Sequence, residues 1–136
     1  MLDEKVLKYI KKHKLLAWAM QDENEVYIAN AFYAFDEANL DFLIASHSDT
    51  KHIKLAFKNP NIAINIAKLD KIPLLKGLQI KALFSQALKE QEKLYYKKFP
   101  FARLSDAKLF ALRIKYLKFS DNTLSKKIEF VNKSCL

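Results

Sequence analysis

Gly77 is the single glycine among 136 residues. Its isolation excludes every phosphate-cradling loop that needs several glycines in a short window, so neither a P-loop nor a GxGxxG dinucleotide turn is present. A phosphate must be held here by side chains or by a helix end. Cysteine is equally scarce: Cys135 stands alone, which excludes an intrachain disulfide and a thiolate metal cluster. Arginine is confined to Arg103 and Arg113, although Lys and Arg together number 24. Lysine is a hydrated point charge without the bidentate fork that reads guanines, which argues against sequence-specific DNA recognition. No apolar stretch approaches the roughly 18 residues of a membrane span, and the N-terminus alternates charged with apolar residues, unlike a signal peptide. The expectation is a non-membrane protein of the reducing cytoplasm.

What is present in excess is positive charge, +9 at neutral pH. Residues 1–88 carry 12 basic against 10 acidic side chains and residues 89–136 carry 12 against 5, so the excess sits in the last third. Runs of charge are usually solvated faces. Aromatic residues interleave with that charge at Tyr95, Tyr96, Phe99, Phe101, Tyr116 and Phe119. The combination suits single-stranded nucleic acid, but strand alternation turns many of these rings inward, and nucleic acid is not the expected partner. The length fits one domain, residues 1–136.

Asp3 to Lys14 reads as a short amphipathic helix, with Leu2, Val6, Leu7 and Ile10 at helical spacing and acids in its first turn. Three apolar runs of strand length follow, LLAWAM, VYIANAFYAF and DFLIAS, separated by acidic turns. Their acids Asp36, Glu37 and Asp41 are expected in solvent. Ser48 to Lys58 reads as a helix capped by Ser48 or Asp49 and ended by Asn59-Pro60. NIAINIAKL alternates with Ile62, Ile64 and Ile66 on one face, and a turn spans Asp70 to Pro73. A long strand then holds Gly77, where a bulge or a close backbone approach is expected. Lys89 to Lys98 is a helix with Leu94 and Tyr95 inward. Asp106 is placed as the cap of a further turn before ALRIKYLKF, with Leu112, Ile114 and Tyr116 or their neighbours inward, and KKIEFV closes the set. Six or seven strands with two or three helices predict a small antiparallel barrel, with Trp18 and most aromatics in its core.

No metal or nucleophile motif stands out. His13, His47 and His52 form no HExxH, and no serine lies in a GxSxG elbow. The segment Ala45-Ser46-His47-Ser48-Asp49-Thr50-Lys51-His52 gathers hydroxyls, amides and a lysine at a strand-to-helix turn, which is what an anion site needs without glycines. An ordinary N-cap followed by surface lysine accounts for the same pattern.

NAFYAFDE (Asn30 to Glu37), ASHSDTKHIKLAFKNPNIAI (Ala45 to Ile64), KGLQIK (Lys76 to Lys81), KKFPFAR (Lys97 to Arg103) and LKFSDNTL (Leu117 to Leu124), in this order, resemble the FMN-binding split-barrel superfamily related to pyridoxamine phosphate oxidase, and within it the small YhbP-like proteins. The resemblance implies a mainly β fold, a six- to seven-stranded antiparallel split barrel with helices. It also implies a homodimer with FMN at the subunit interface and a small-molecule substrate for a flavin-dependent oxidoreductase. By position it places Ser46, Thr50 and Lys51 at the phosphate, His52 at the second basic position of that turn, and Ala45 beside them as a cofactor contact. It sets Asn30, Ala31, Phe32 and Tyr33 on the strand along the flavin, and Gln79 at a further cofactor contact.

The departures are informative. Asn30 and Phe35 stand where the oxidases carry arginine and lysine, and His52 replaces the second base of their turn, so three cationic contacts are absent or titratable. The substrate-binding C-terminal segment of the true oxidases has no counterpart, which argues against pyridoxamine phosphate oxidation. A non-catalytic dimeric protein using the same cleft for haem or another flavin is the alternative. Leu124 to Lys127 lacks the glycines that relatives place there, and Arg103 suits an ion pair or an anion contact equally.

Overall fold

The computed structural model describes residues 1–68, 71–123 and 126–135, with Lys126 described in its backbone alone. Three helices, α1 (Glu4–Lys12), α2 (Lys51–Lys58) and α3 (Lys89–Lys98), interrupt seven strands: β1 (Leu15–Asp22), β2 (Glu25–Asp36), β3 (Asp41–Ser46), β4 (Asn61–Lys68), β5 (Lys76–Gln86), β6 (Lys108–Asp121) and β7 (Lys126–Val131). The strands form one sheet in the order β3-β2-β1-β4-β5-β6-β7. A further antiparallel pairing of β3 with β6, from Asp41↔Arg113 to Ser46↔Lys108, closes it into a barrel.

The alternation read from sequence sets the core. Leu16, Trp18 and Met20 of β1, the three isoleucines of β4, and Leu78, Ile80, Ala82 and Phe84 of β5 all face inward and are buried. Asp3 caps α1 by accepting from the Lys5 amide at 2.8 Å, and Val6 and Ile10 carry that helix onto the barrel. On the other side α2 lays Ile53 and Ala56 inward over Trp18, Phe84 and Phe110, with the Phe57 ring edge-on to Phe84 at 5.1 Å. The expected aromatic core is found: Trp18, Tyr95 and Phe119 are buried, whereas Phe101 is 87% exposed.

Five expectations are corrected. Thr50, not Ser48 or Asp49, takes the N-cap position of α2. Leu94 is exposed, and its helix instead buries Gln91 and Tyr95. Asp106 caps no turn, because β6 begins two residues later, and its carboxylate pairs with His47 at 3.2 Å. The irregularity of the long strands lies in β6 rather than at Gly77: Lys81 pairs with Tyr116 but Ala82 with Ile114, so Lys115 is the extra residue. That bulge reverses the inward phase, from Leu112 and Ile114 to Leu117 and Phe119, and leaves Tyr116 out of the core. Finally, Asp36 and Asp41 are not solvated. They are buried on Gln91 and Arg113, while Glu37 alone of the three is exposed, 3.0 Å from Lys11. Of the expected turn at Asp70 to Pro73, Asp70 lies outside the described residues, as do Leu124 and Ser125.

Gly77 has an ordinary negative φ, and a Cβ built on it meets the Ala67 Cβ at 3.4 Å, across the β4–β5 pairing. That is ordinary van der Waals contact, so the expected close approach is not found and the position is open to a methyl group. Gly77→Ala is therefore expected to hold stability within about 1 kcal/mol, on the stabilising side through lower entropy of the unfolded chain. Urea unfolding checks this; a loss beyond that range means that the Ala67 strand cannot yield.

Candidate functional site

The barrel is split at one seam. β2 pairs with β3 only from Tyr33↔Ile44 to Asp36↔Asp41. Beyond Tyr33 the two strands part, β2 continuing against β1 and β3 continuing to Ser46 against β6. Asn30, Ala31 and Phe32 thus stand on one lip of the seam, and Ala45 and Ser46 on the other. Sequence alone gives no hint of a gap, because both strands continue their alternation through it.

At the seam's end, α2 brings three polar groups together. Ser46 Oγ lies 2.9 Å from His52 Nε2 and 3.3 Å from Thr50 Oγ1, and Thr50 Oγ1 lies 3.2 Å from the same nitrogen. Thr50 donates its proton to the His47 carbonyl at 3.0 Å, so its oxygen is left to accept. Burial pushes the His52 pKa down, and the imidazole stands edge-on to the buried Trp18 ring at 5.6 Å. A neutral His52 carrying its proton on Nε2 donates to both hydroxyl oxygens, and the Ser46 proton has only a long contact to the His47 carbonyl, 3.4 Å, to give up for a ligand. No side chain caps α2, because Thr50 spends its hydroxyl on His47. The Ser46 hydroxyl, braced by His52 and Thr50, meets the first-turn amides of an uncapped helix N-terminus, a donor set that suits phosphate oxygens. It does not make a Ser–His–Asp triad, since among the described residues no carboxylate partners His52.

Lys51 is directed elsewhere. Its Nζ lies 3.1 Å from Asp22 Oδ2 and 4.7 Å above the Tyr27 ring, and the hydrogen bond to Asp22 raises its pKa. The lysine shares the turn but spends its charge on the β1–β2 hairpin.

The remaining candidates divide by face. In register, Asn30 pairs with Ala17, Ala17 with Asn65 and Asn65 with Gln79. Directly paired residues point to the same side, so these four make one row on the outer face of the sheet. Asn30 and Gln79 therefore share a face but sit three strands apart, roughly 14 Å at the usual strand spacing. Beside Asn30 that face is apolar and exposed, with Leu15, Val26, Ile28 and Phe32. Tyr33 belongs to the core: its ring is fully buried, and its hydroxyl, whose pKa burial pushes well up, donates to the Ile10 carbonyl at 2.7 Å. Ala31 packs inward as well, and Phe35 lies 4.9 Å from the Phe42 ring.

Three contributors escaped the sequence reading. Asn65 was visible in principle, as the polar residue opposite the isoleucine face of β4. Lys98 donates to the Tyr33 carbonyl at 3.1 Å, and burial, then Lys14, lowers its pKa, which places a cation behind the seam. Trp18 Nε1 is buried with no acceptor among the described residues. Arg103 makes no ion pair among the described residues; its guanidinium lies 4.6 Å over the Tyr96 ring. The described residues contain no His, Cys, Asp and Glu cluster able to hold a metal, and no helix long and apolar enough to cross a membrane.

Comparison with solved structures finds the same architecture at low identity. A haem-binding protein from Mycobacterium smegmatis superposes with a TM-score of 0.77 at 8% identity, over 96% of this chain but only 59% of its own. An FAD-binding protein from Mesorhizobium loti gives 0.73 at 11%, over 88% and 94%. A Clostridium acetobutylicum protein of the pyridoxinephosphate oxidase family, related to general stress protein 26, gives 0.71 at 14%, over 99% and 100%. These establish the split-barrel fold. No family model matches the chain. Closer relatives exist in sequence: UPF0306 protein YhbP of Escherichia coli is 31% identical over 124 residues, 88% of this chain and 89% of its own. A UPF0306 protein of Campylobacter jejuni is 58% identical over 135 residues, 97% of this chain and all of its own. Identity at that level along almost every residue, on the barrel and seam described above, makes this chain a member of the UPF0306 family.

Proposed function

We propose that the protein binds FMN along the seam as a homodimer and acts as a flavin-dependent oxidoreductase on a small organic molecule. The observation that carries the reading is the Ser46–Thr50–His52 cluster at the uncapped start of α2, which sets the Ser46 hydroxyl beside the first-turn amides as donors for a terminal phosphate. Ser46, His52 and the first-turn amides would hold that phosphate, with Lys51 adjacent. Asn30 and the exposed Phe32 offer the polar and apolar contacts expected beside a flat ring, and Ala45 lines the opposite lip. Gln79 and Asn65, on the same outer face, reach a ligand that extends across the sheet. The bound flavin would supply hydride or electron transfer, so the chain needs to position it and no separate acid–base pair is required. The exposed apolar patch Leu15, Val26, Ile28 and Phe32, on the outer face of β1 and β2, supports a second copy as the cover. The names of the FAD-binding and pyridoxinephosphate oxidase-family neighbours support a flavin.

Absorption spectroscopy tests the cofactor. Purified protein titrated with FMN is expected to show a perturbed flavin band and quenched flavin fluorescence at one equivalent per chain; protein that leaves the FMN spectrum unchanged overturns the assignment. The haem reading has its own support, in the missing cations at Asn30 and Phe35 and in the haem-binding neighbour. A Soret shift on haem addition with no FMN uptake selects it.

A further inference from the structure

A second cleft, lined by none of the seam residues nor by Gln79, opens at the barrel mouth beside α1. It has a volume of about 420 Å³ and is walled by Lys5, Lys8, Lys12 and Lys76, over the rings of Tyr9 and Phe119, with Asp121 and Thr123 at its edge. An adjoining hollow shares Tyr9, Lys12, Lys76 and Thr123 and adds His13 and Lys68.

The lysines converge for reasons that differ by element. Lys5, Lys8 and Lys12 follow i, i+3, i+7 and so project from one face of α1, where like charges three and four apart oppose the helix. Lys68, Lys76 and Asp121 pair with one another across β4, β5 and β6, one step outward from the inward-facing Ile66, Leu78 and Phe119. At the positions where the core rows reach the mouth, the sequence replaces apolar residues with charge. Asp121 is the single carboxylate in the lining among the described residues. It is already engaged: Thr123 donates its amide and hydroxyl to Oδ1 at 2.9 and 2.6 Å, and Lys76 lies 3.9 Å from Oδ2. Among the described residues, five lysines thus face one carboxylate, a formal +4. Lys5, Lys8, Lys12 and Lys68 have no ion-pair partner among the described residues, whereas Lys11 and Lys51, outside the cleft, each have one. The repulsion is also felt by neighbours: after burial, Lys12 and Lys68 further lower the His13 pKa.

The floor is apolar and aromatic. Tyr9 packs on Phe119 with ring centroids 5.2 Å apart, and its hydroxyl donates to the Lys76 carbonyl at 3.1 Å, which fixes the ring under the lysines. The volume falls within the usual range of small-molecule sites.

We infer that this cleft binds a nucleoside polyphosphate, its phosphates among Lys5, Lys8, Lys12 and Lys76 and its base along the ring edges that the otherwise buried Tyr9 and Phe119 present to the cleft. The site is independent of the seam.

Isothermal titration of the full chain with ATP in metal-free buffer tests it, with inorganic pyrophosphate, adenosine and anionic phosphatidylglycerol vesicles as comparison probes. ATP is expected to bind at one site per chain, more tightly than pyrophosphate, and with an affinity that falls as salt rises. Lys8→Gln and Lys12→Gln, both at exposed helix positions, are each expected to weaken ATP by about tenfold, the effect of one charge-assisted contact, while leaving FMN titration of the seam unchanged. No ATP binding up to millimolar concentration overturns the proposal. So does adenosine binding as well as ATP, or equal affinity in the lysine variants. Binding to the vesicles but not to free ATP assigns the lysines to a lipid surface and overturns it too. So does a single-stranded oligonucleotide that binds far more tightly than ATP, which indicates an extended surface instead of a cleft.

Discussion

Gln91→Leu is expected to lower the free energy of unfolding by about 3–5 kcal/mol, the cost of leaving buried charges without their hydrogen bonds. Gln91 is 2% exposed and serves three partners at once. Its Nε2 donates to Asp36 Oδ2 at 2.9 Å and to Asp41 Oδ2 at 2.8 Å, and its Oε1 accepts the Leu88 amide at 2.8 Å. Arg113 closes the network with a two-pronged contact to Asp41, at 2.9 and 3.0 Å. One side chain therefore ties α3 to the β2–β3 hairpin and starts that helix. Leucine matches the volume but satisfies none of the three. Urea unfolding measures the loss, and Leu94→Ala on the same helix is the control, expected within about 1 kcal/mol because that side chain is exposed. A Gln91→Leu protein as stable as the parent would show that water replaces the glutamine without cost.

The same network has a pH signature. Burial raises the Asp36 pKa, but hydrogen bonds from Asn39 and Gln91 outweigh it and hold the carboxyl below its ordinary range. A carboxylate with a depressed folded pKa adds stability above its unfolded value, about 3.9, and that stability is lost as pH falls through the folded value. With Gln91 gone, burial is less opposed and Asp36 protonates at higher pH. Acid unfolding of Gln91→Leu is thus expected to begin at higher pH than in the parent.

Much of the fold was legible because half-buried strands must alternate: the isoleucines of β4 and the aromatics of β1 and β2 announce their faces without any knowledge of the partner strands. What failed was whatever depends on residues distant in the chain. Asp36 and Asp41 look like turn acids until Gln91, about 50 positions later, is folded onto them. Tyr95 and Leu94 are adjacent and both apolar enough for a helix face, and only the position of β2 and β3 decides between them. The Lys115 bulge has no local mark, since ALRIKYLKF alternates acceptably in either phase. At the candidate site, hydroxyls and imidazole were correctly placed in one turn by residue type. The seam beside them is a property of strand pairing, and the diversion of Lys51 depends on a hairpin about 30 residues upstream.

That diversion changes what substitution of the turn should do. Read from the turn alone, Lys51→Ala removes one charge-assisted phosphate contact and weakens FMN by about 1.5–3 kcal/mol. In the folded chain the lysine must first leave Asp22, 3.1 Å away, and the Tyr27 ring. Both are solvent-screened surface interactions, so they reduce the net contribution of Lys51 without cancelling it. The competition gives the test its sign. Asp22→Asn keeps the size of the side chain but releases the lysine, and FMN is expected to bind several-fold more tightly, while Lys51→Ala weakens it by about tenfold. In the double variant the Asp22→Asn gain should vanish, because there is no longer a lysine to release. Fluorescence titration of the four proteins resolves the cycle. If Asp22→Asn leaves the affinity unchanged in both backgrounds, Lys51 belongs to the hairpin alone, and the phosphate rests on Ser46, His52 and the start of α2 without a cation.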